Sequence, residues 1–235
     1  RAHPLLLIYH GAVLRRLGQV GAAQARFEDA RAAFAAMDQM PGVCRALVEL
    51  SETARSQGDY RRAQGLATEA LSYAGGEQHD ERARALMALA RSAGFLQGTD
   101  RGRALAEEAV REMERAGSVI TPAQRAGLLL ALGQICWWHG DPYAAVTRCQ
   151  EARRILPDEL SPITARTFVT LVTPYLYWRE LDAALDYAQK GLEIAAKLQL
   201  QELLPSAYSA LGNVLTRRGQ YTRAEELFRQ AIEFS

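Results

Sequence analysis

The sequence predicts an all-α array of about six antiparallel helix pairs, and three observations predict it. The first is a pair of small-residue columns that run in step. One is Gly11, Ser51, Ala90, Gly133, Val172 and Gly212; the other is Ala23, Ala63, Gly102, Ala145, Ala184 and Ala224. Every member of the second lies 12 residues after its partner, and the steps within each column are 40, 39, 43, 39 and 40 residues. A fixed offset at a steady period marks a tandem repeat, and small residues recur where two helix backbones approach closely. The second observation is the apolar period inside each unit, which is helical and nowhere alternating. The third is the punctuation: Gly18-Gln19, Gly58-Asp59, Gly140-Asp141-Pro142 and Gly219-Gln220 each end one helix and begin another.

Taken in order, the expected pairs are 4–17/20–37, 42–57/60–74, 80–95/101–116, 122–139/142–156, 162–179/182–199 and 202–218/221–234. Pro4, Pro41, Pro122, Pro162 and Pro205 fall at or just before first helices, where the missing N–H costs nothing. The fourth unit shows the logic most fully. Leu128, Leu129, Leu132, Ile135 and Cys136 form its apolar face. Gly140 suits the left-handed residue past a helix end, Asp141 caps the next helix, and Pro142 fits that helix's first turn. The second helix carries Ala145, Cys149 and Ala152 on one face and stops at Pro157. Gly75-Gly76 and Gly117-Ser118 read as turns between repeats, so residues 1–235 form one solenoid in which each unit contacts its neighbours.

Composition narrows the function classes. The net charge is +1, which gives no global pull toward nucleic acid or an anionic membrane. Three cysteines without paired spacing (Cys44, Cys136 and Cys149) point to reduced thiols and a cytoplasmic protein. Leu128 to Trp138, the longest apolar stretch, is too short to span a bilayer. His3, His10, His79 and His139 lack metal-ligand spacing, so no metal and no cofactor is expected. His10 is expected on a core-facing position. There is no Gly-rich phosphate loop with its Lys and no serine nucleophile elbow, so the chain is not expected to be an enzyme. Glu107, Glu108, Glu112 and Glu114, interleaved with Arg111 and Arg115, read as surface ion pairs on a solvated second helix.

The sixth unit carries Tyr208, Leu211-Gly212, Gly219, Tyr221, Ala224, Phe228 and Ala231. The fourth carries Leu132-Gly133, Gly140, Ala145, Ala152 and Pro157, and the first carries Gly11, Gly18, Ala23, Phe27 and Ala30. On these residues the chain resembles the tetratricopeptide repeat family over essentially its whole length. The period near 40 exceeds that family's usual ~34 residues. It resembles the extended repeats of bacterial maltose-regulon activators and related LuxR-type ATP-binding regulators, of the Rap and PlcR quorum-sensing families, and of kinesin light chains and the LGN protein. The resemblance implies a right-handed superhelix whose concave surface is lined by the first helices.

Register then assigns the residues of that surface. The position after each small-column residue gives Ala12, Glu52, Arg91, Gln134, Thr173 and Asn213; one or two turns earlier lie Arg45, Arg84, Gly127, Arg166 and Ser206; toward the helix ends lie Arg16, Phe95, Trp138, Tyr177 and Arg217. The expected ligand or partner contacts are Arg45, Glu52, Arg84, Arg91, Gln134, Trp138, Arg166, Thr173, Tyr177 and Asn213. Two readings of the arginines stand open: anchors for a carboxylate or phosphate, or partners of acidic residues on neighbouring helices. Likewise Trp137, Trp138, Tyr175, Tyr177 and Trp178 are either inter-repeat core or an aromatic wall of the groove. Pro174, inside a first helix, is expected to bend it at the groove. The carboxylate clamp of chaperone-binding tetratricopeptide domains is not expected, because Ile8 and Ala12 occupy its positions in the first repeat.

The function expected from this reading is binding of a protein, a peptide or a small anionic effector in the groove. The module would be the sensor or partner-binding domain of a bacterial transcriptional or signalling regulator. A free-standing scaffold that assembles a multiprotein complex is the alternative. The chain opens on Arg1, and a piece of a larger protein is expected. This segment should make no direct contact with nucleic acid or membrane. Self-association is plausible through terminal faces such as Phe228, Ile232 and Phe234.

Overall fold

The structure, a computed structural model, describes residues 3–138, 140–156 and 160–234. His139 and the expected closing residue Pro157 lie outside that set. Among the described residues there are twelve α-helices, one 3-10 turn at Gly117–Val119, and no strand. The helices are α1 (Pro4–Arg16), α2 (Val20–Ala36), α3 (Met40–Ser56), α4 (Tyr60–Tyr73), α5 (His79–Leu96) and α6 (Thr99–Ala116). They continue as α7 (Pro122–Trp138), α8 (Pro142–Ile155), α9 (Pro162–Tyr177), α10 (Leu181–Lys197), α11 (Leu204–Arg217) and α12 (Tyr221–Glu233). These are the six expected pairs, with no helix end displaced by more than two residues.

The turn chemistry is the one read from sequence. Gly18, Gly58, Gly140 and Gly219 have φ values of 74°, 79°, 81° and 76°. The third unit uses Gly98 (φ 97°), whereas the fifth places Arg179 at the same point with φ 61°. Asp59 and Asp141 accept hydrogen bonds from the backbone N–H of Arg62 and Ala144, and Ser161 does the same for Thr164. Each cap satisfies a helix-end donor that has no partner inside the helix.

The two small-residue columns meet inside each hairpin. A Cβ on Gly133 would lie 2.7 Å from Cys149 Sγ and 3.0 Å from the Ala145 carbonyl oxygen, which leaves no room for a side chain. On Gly102 it would lie 2.9 Å from the Gly94 Cα and 3.0 Å from the Ala90 carbonyl oxygen. Ser51 uses the same proximity differently: its hydroxyl donates to the Ala63 carbonyl at 2.7 Å. Gly11 and Gly212 instead receive the rings of Phe27 and Phe228. Cys149 is fully buried in this seam.

Packing between hairpins sets the curvature. Each odd-numbered helix contacts the next odd-numbered one, from α1 to α11, while even-numbered helices make no comparable contacts with one another. The odd helices are therefore closer together and form the inner wall. The largest core runs through repeats 3 and 4 and reaches into repeats 2 and 5, and smaller clusters serve the two ends. Among the described residues, no helix is long and apolar enough to cross a membrane.

Three expectations are corrected. His10 is exposed rather than packed, because α1 is the outermost helix and Ile8 and Gly11 take its buried positions. Glu112 is buried rather than solvated. The close α5–α6 approach brings His79 Nδ1 to 2.7 Å from it, with Arg115 at 2.8 Å and Arg82 at 3.7 Å. Phe228 packs over Gly212 and is half-buried, so only Ile232 and Phe234 of the expected C-terminal trio are exposed. Pro174 is fully buried inside α9, which continues through it to Tyr177.

Candidate functional site

The inner wall holds two adjoining cavities. The larger, about 590 Å³, is lined by Arg91, Gln134, Trp138, Arg166, Thr173 and Asn213, together with Arg55, Glu202 and Ser206. The smaller, about 330 Å³, is lined by Glu49, Glu52, Arg84, Gly127 and Met87, and it shares Arg91 and Arg166 with the first. Eight of the ten expected contact residues therefore line this continuous groove. Arg45 and Tyr177 line neither cavity. Arg45 pairs with Glu81 at 3.2 Å, and Tyr177, 68% exposed, sits with its ring against the edge of Trp137.

Each groove residue is placed by its first helix, one repeat after another, and many bond to the equivalent level of the next. Arg45 reaches Glu81, Arg91 reaches back to Glu52 at 2.8 Å, Gln134 donates to Thr170 at 3.2 Å, and Arg166 reaches Glu202 at 3.0 Å. Arg218 closes the series on Asp182. Sequence separations of 36 to 39 residues make this a ladder from one repeat to the next. So the arginines are paired with carboxylates of neighbouring helices. Of these, the Arg166–Glu202 pair is the more exposed, and pairs of that kind contribute ~0.2–1 kcal/mol.

Electrostatics in the groove favour anions. Burial alone would raise the Glu52 carboxyl, but Arg91, Arg55 and Arg15 overcome that and hold it at about 2. Burial lowers the Arg166 guanidinium, and Glu202 opposes the shift. Arg91 Nε and Arg84 Nε are buried and have no protein hydrogen-bond partner among the described residues. The groove is thus an arginine-rich surface whose carboxylates do not use all of its donors.

Aromatic groups divide between the two readings. Tyr175 and Trp178 pack against the core, Trp137 packs against the core and also lines the larger cavity, and Trp138 is 43% exposed at the groove's edge. The ring of Trp138 meets the Phe95 ring edge-on at 5.1 Å, and Phe95 stacks on Tyr60 at 4.2 Å. Tyr60 was not singled out from sequence, and neither were Arg15, Glu49, Arg55 and Glu202. A search for opposite charges about one period apart would have found Arg166 with Glu202. Among the described residues, no group of three or more His, Cys, Asp or Glu side chains is placed to hold a metal ion. Cys44, Cys136 and Cys149 are all free and buried, and burial pushes the Cys44 and Cys149 thiols up to about 12.

This geometry defines a helical-repeat solenoid with a polar inner groove. Residues 205–235 match the tetratricopeptide repeat family. No curated protein matches the sequence. Among solved structures, the chain is similar to the apo form of RapI, at 14% identity and a TM-score of 0.59, over 98% of this chain and 97% of that one. It is similar to a Rap protein complexed with Competence and Sporulation Factor, at 13% identity and a TM-score of 0.69, over 97% and 73% of the two chains. It is also similar to Bacillus thuringiensis PlcR in complex with the peptide PapR7 and DNA, at 13% identity and a TM-score of 0.70, over 81% and 69%. The family match covers the sixth repeat, and across the whole chain the likeness is one of fold: an all-α helical-repeat solenoid.

Proposed function

We propose that this chain is a non-catalytic binding module that takes a peptide, or an extended segment of a partner protein, along its inner groove. The observation that carries the reading is the convergence of Arg91, Arg166, Gln134 and Asn213 on one 590 Å³ cavity, each from a different repeat. Such a row of donors and amides matches the repeating polar groups of an extended chain, and Trp138 offers a rigid apolar contact beside them. A small anionic effector would use the same arginines. The fold likeness to a Rap protein and to PlcR, solved with bound partners, supports a sensor domain within a bacterial transcriptional or signalling regulator, the extended-repeat class to which maltose-regulon activators belong.

The test is a peptide library panned against the protein, with captured peptides measured by fluorescence polarisation on wild type and on the Arg91→Ala/Arg166→Ala double variant. Both substitutions leave paired carboxylates behind: Glu52 keeps Arg55 at 3.0 Å, and Glu202 keeps Arg15 at 3.9 Å. The fold should therefore survive, with unchanged helical circular dichroism, while affinity falls at least tenfold. Undiminished binding by the double variant would reject the groove assignment. A thermal shift with short peptides favours the sensor; a stoichiometric protein partner in a pull-down favours the scaffold.

A further inference from the structure

The inner groove is bridged by its own side chains. Arg15, in the last turn of α1, lies 3.0 Å from Glu49 and 3.9 Å from Glu202, which sits in the turn between α10 and α11. Glu202 is at the same time 3.0 Å from Arg166 on α9. One carboxylate thus joins the first repeat to the fifth and sixth across the groove. Nothing comparable in size supports that closure. Helix α1 packs on α2 and α3, and α11 packs on α9, α10 and α12. The burial of Arg15 would lower its guanidinium, yet Glu49, Glu202 and Glu52 together raise it.

Glu202 is also free to leave. Leu200 and Leu203 on either side of it are buried and anchor the turn, so its side chain can swing away without moving the backbone. Its partner Arg166 has a side chain 38% exposed and is reachable from solvent. Around the junction four arginines (Arg15, Arg55, Arg91 and Arg166) face three glutamates (Glu49, Glu52 and Glu202), while Arg84 beside them is paired with Asp80 at 3.4 Å. An arriving anion is therefore attracted overall, and Glu202, which reaches Arg166 and Arg15 from a turn rather than from a helix, is the glutamate it would replace.

We propose that Glu202 is an internal stand-in for the ligand: a carboxylate of an acidic peptide replaces it on Arg166 and Arg15, and the exchange releases the first repeat from the sixth. This rests on the groove being the binding surface, and it adds the ligand's chemical class and the way its arrival is transmitted. Opposing the exchange are two accessible ion pairs, each worth a factor of about two to five in affinity.

The experiment uses fluorescein-labelled hexaglutamate as the probe and hexaglutamine as its uncharged control. Glu202→Gln should bind hexaglutamate about four- to twenty-five-fold more tightly than wild type, with hexaglutamine unaffected, while Glu202→Asp should stay near wild type. Equal affinities for hexaglutamate, or binding by neither protein, overturn the exchange. Peptides captured from the library through Arg91 and Arg166 would leave the groove reading standing in that event. Opening is read by the distance between spin labels at Arg16→Cys and Arg217→Cys, both exposed sites, with the three native cysteines buried. Saturating hexaglutamate, or the Glu202→Gln change alone, should lengthen that distance. A distance unchanged in both refutes the release.

Discussion

Glu81 shows how a single side chain couples this solenoid to pH. It is buried at the start of α5 beside Asp80, and burial followed by that neighbour pushes its carboxyl up to about 7. Arg45 at 3.2 Å and the nearby Arg84 offset only part of the cost. A carboxyl that holds its proton more tightly in the folded state is stabilising at low pH. Its contribution is present in full below the unfolded value of 4.5 and is lost as pH rises through about 7. Glutamine has no proton to lose. The stability difference between Glu81→Gln and wild type should therefore move in favour of the variant by about 1–3 kcal/mol between pH 4.5 and 8. Urea unfolding at those two pH values measures it, and a difference that does not change with pH would remove Asp80 and burial as its cause. Glu52 behaves in the opposite sense. Held at about 2 by arginines, it stabilises the fold above pH 4.5 and withdraws that support as pH falls toward 2.

At the scale of the helix pair, stability depends on close backbone contact and on the turn that permits it. Gly133→Leu would force a side chain into Cys149 Sγ and the Ala145 carbonyl, and one of those neighbours is backbone that cannot swing aside. Overpacking of this kind costs ~1–3 kcal/mol or more, so the melting temperature should fall by several degrees; an unchanged value would contradict the α7–α8 seam. Arg179 predicts the reverse. It holds φ 61° where four of the other turns use glycine near 74–81°, and a side chain in that region costs ~1–2 kcal/mol. Arg179→Gly should stabilise the protein by about 0.5–1 kcal/mol once glycine's extra unfolded freedom is subtracted, readable as a higher urea midpoint. This scale is also where the sequence was most legible. The helix boundaries followed from glycine turns, prolines and two columns of small residues, because those are local requirements of backbone geometry. The facing of Arg91, Gln134, Arg166 and Asn213 followed from register alone. Burial of Glu112 did not, since it depends on a helix approach set by Gly94 and Gly102 from outside its own turn. Exposure of His10 did not either, because an end repeat lacks the neighbour that register assumes.

For the whole molecule, the contact between Arg15 and Glu202 is the feature no local pattern encodes. It is the sum of the small rotations between successive hairpins, and a slight change in each would carry the two ends past one another. Its consequence can be tested by hydrogen exchange. A solenoid held only by nearest-neighbour packing frays from its ends. Here the core is deepest in repeats 3 and 4, while α1 exposes Leu6, Tyr9 and Val13 and α12 exposes Tyr221 and Ile232. Amides of α5 to α8 should therefore exchange most slowly and those of α1 and α12 most quickly. The ionic bridge alters this gradient in a way that salt reveals. At 0.01 M ionic strength the screening length is ~30 Å, and at 1 M it is ~3 Å, shorter than the 3.9 Å between Arg15 and Glu202. Raising salt should speed exchange in α1 and α11 by several-fold and leave α5 to α8 nearly unchanged. Hydrophobic packing alone would give the opposite trend or none, since salt does not weaken it. A uniform response along the chain would mean that the six repeats unfold as one unit and that the bridge between the ends contributes nothing to holding them.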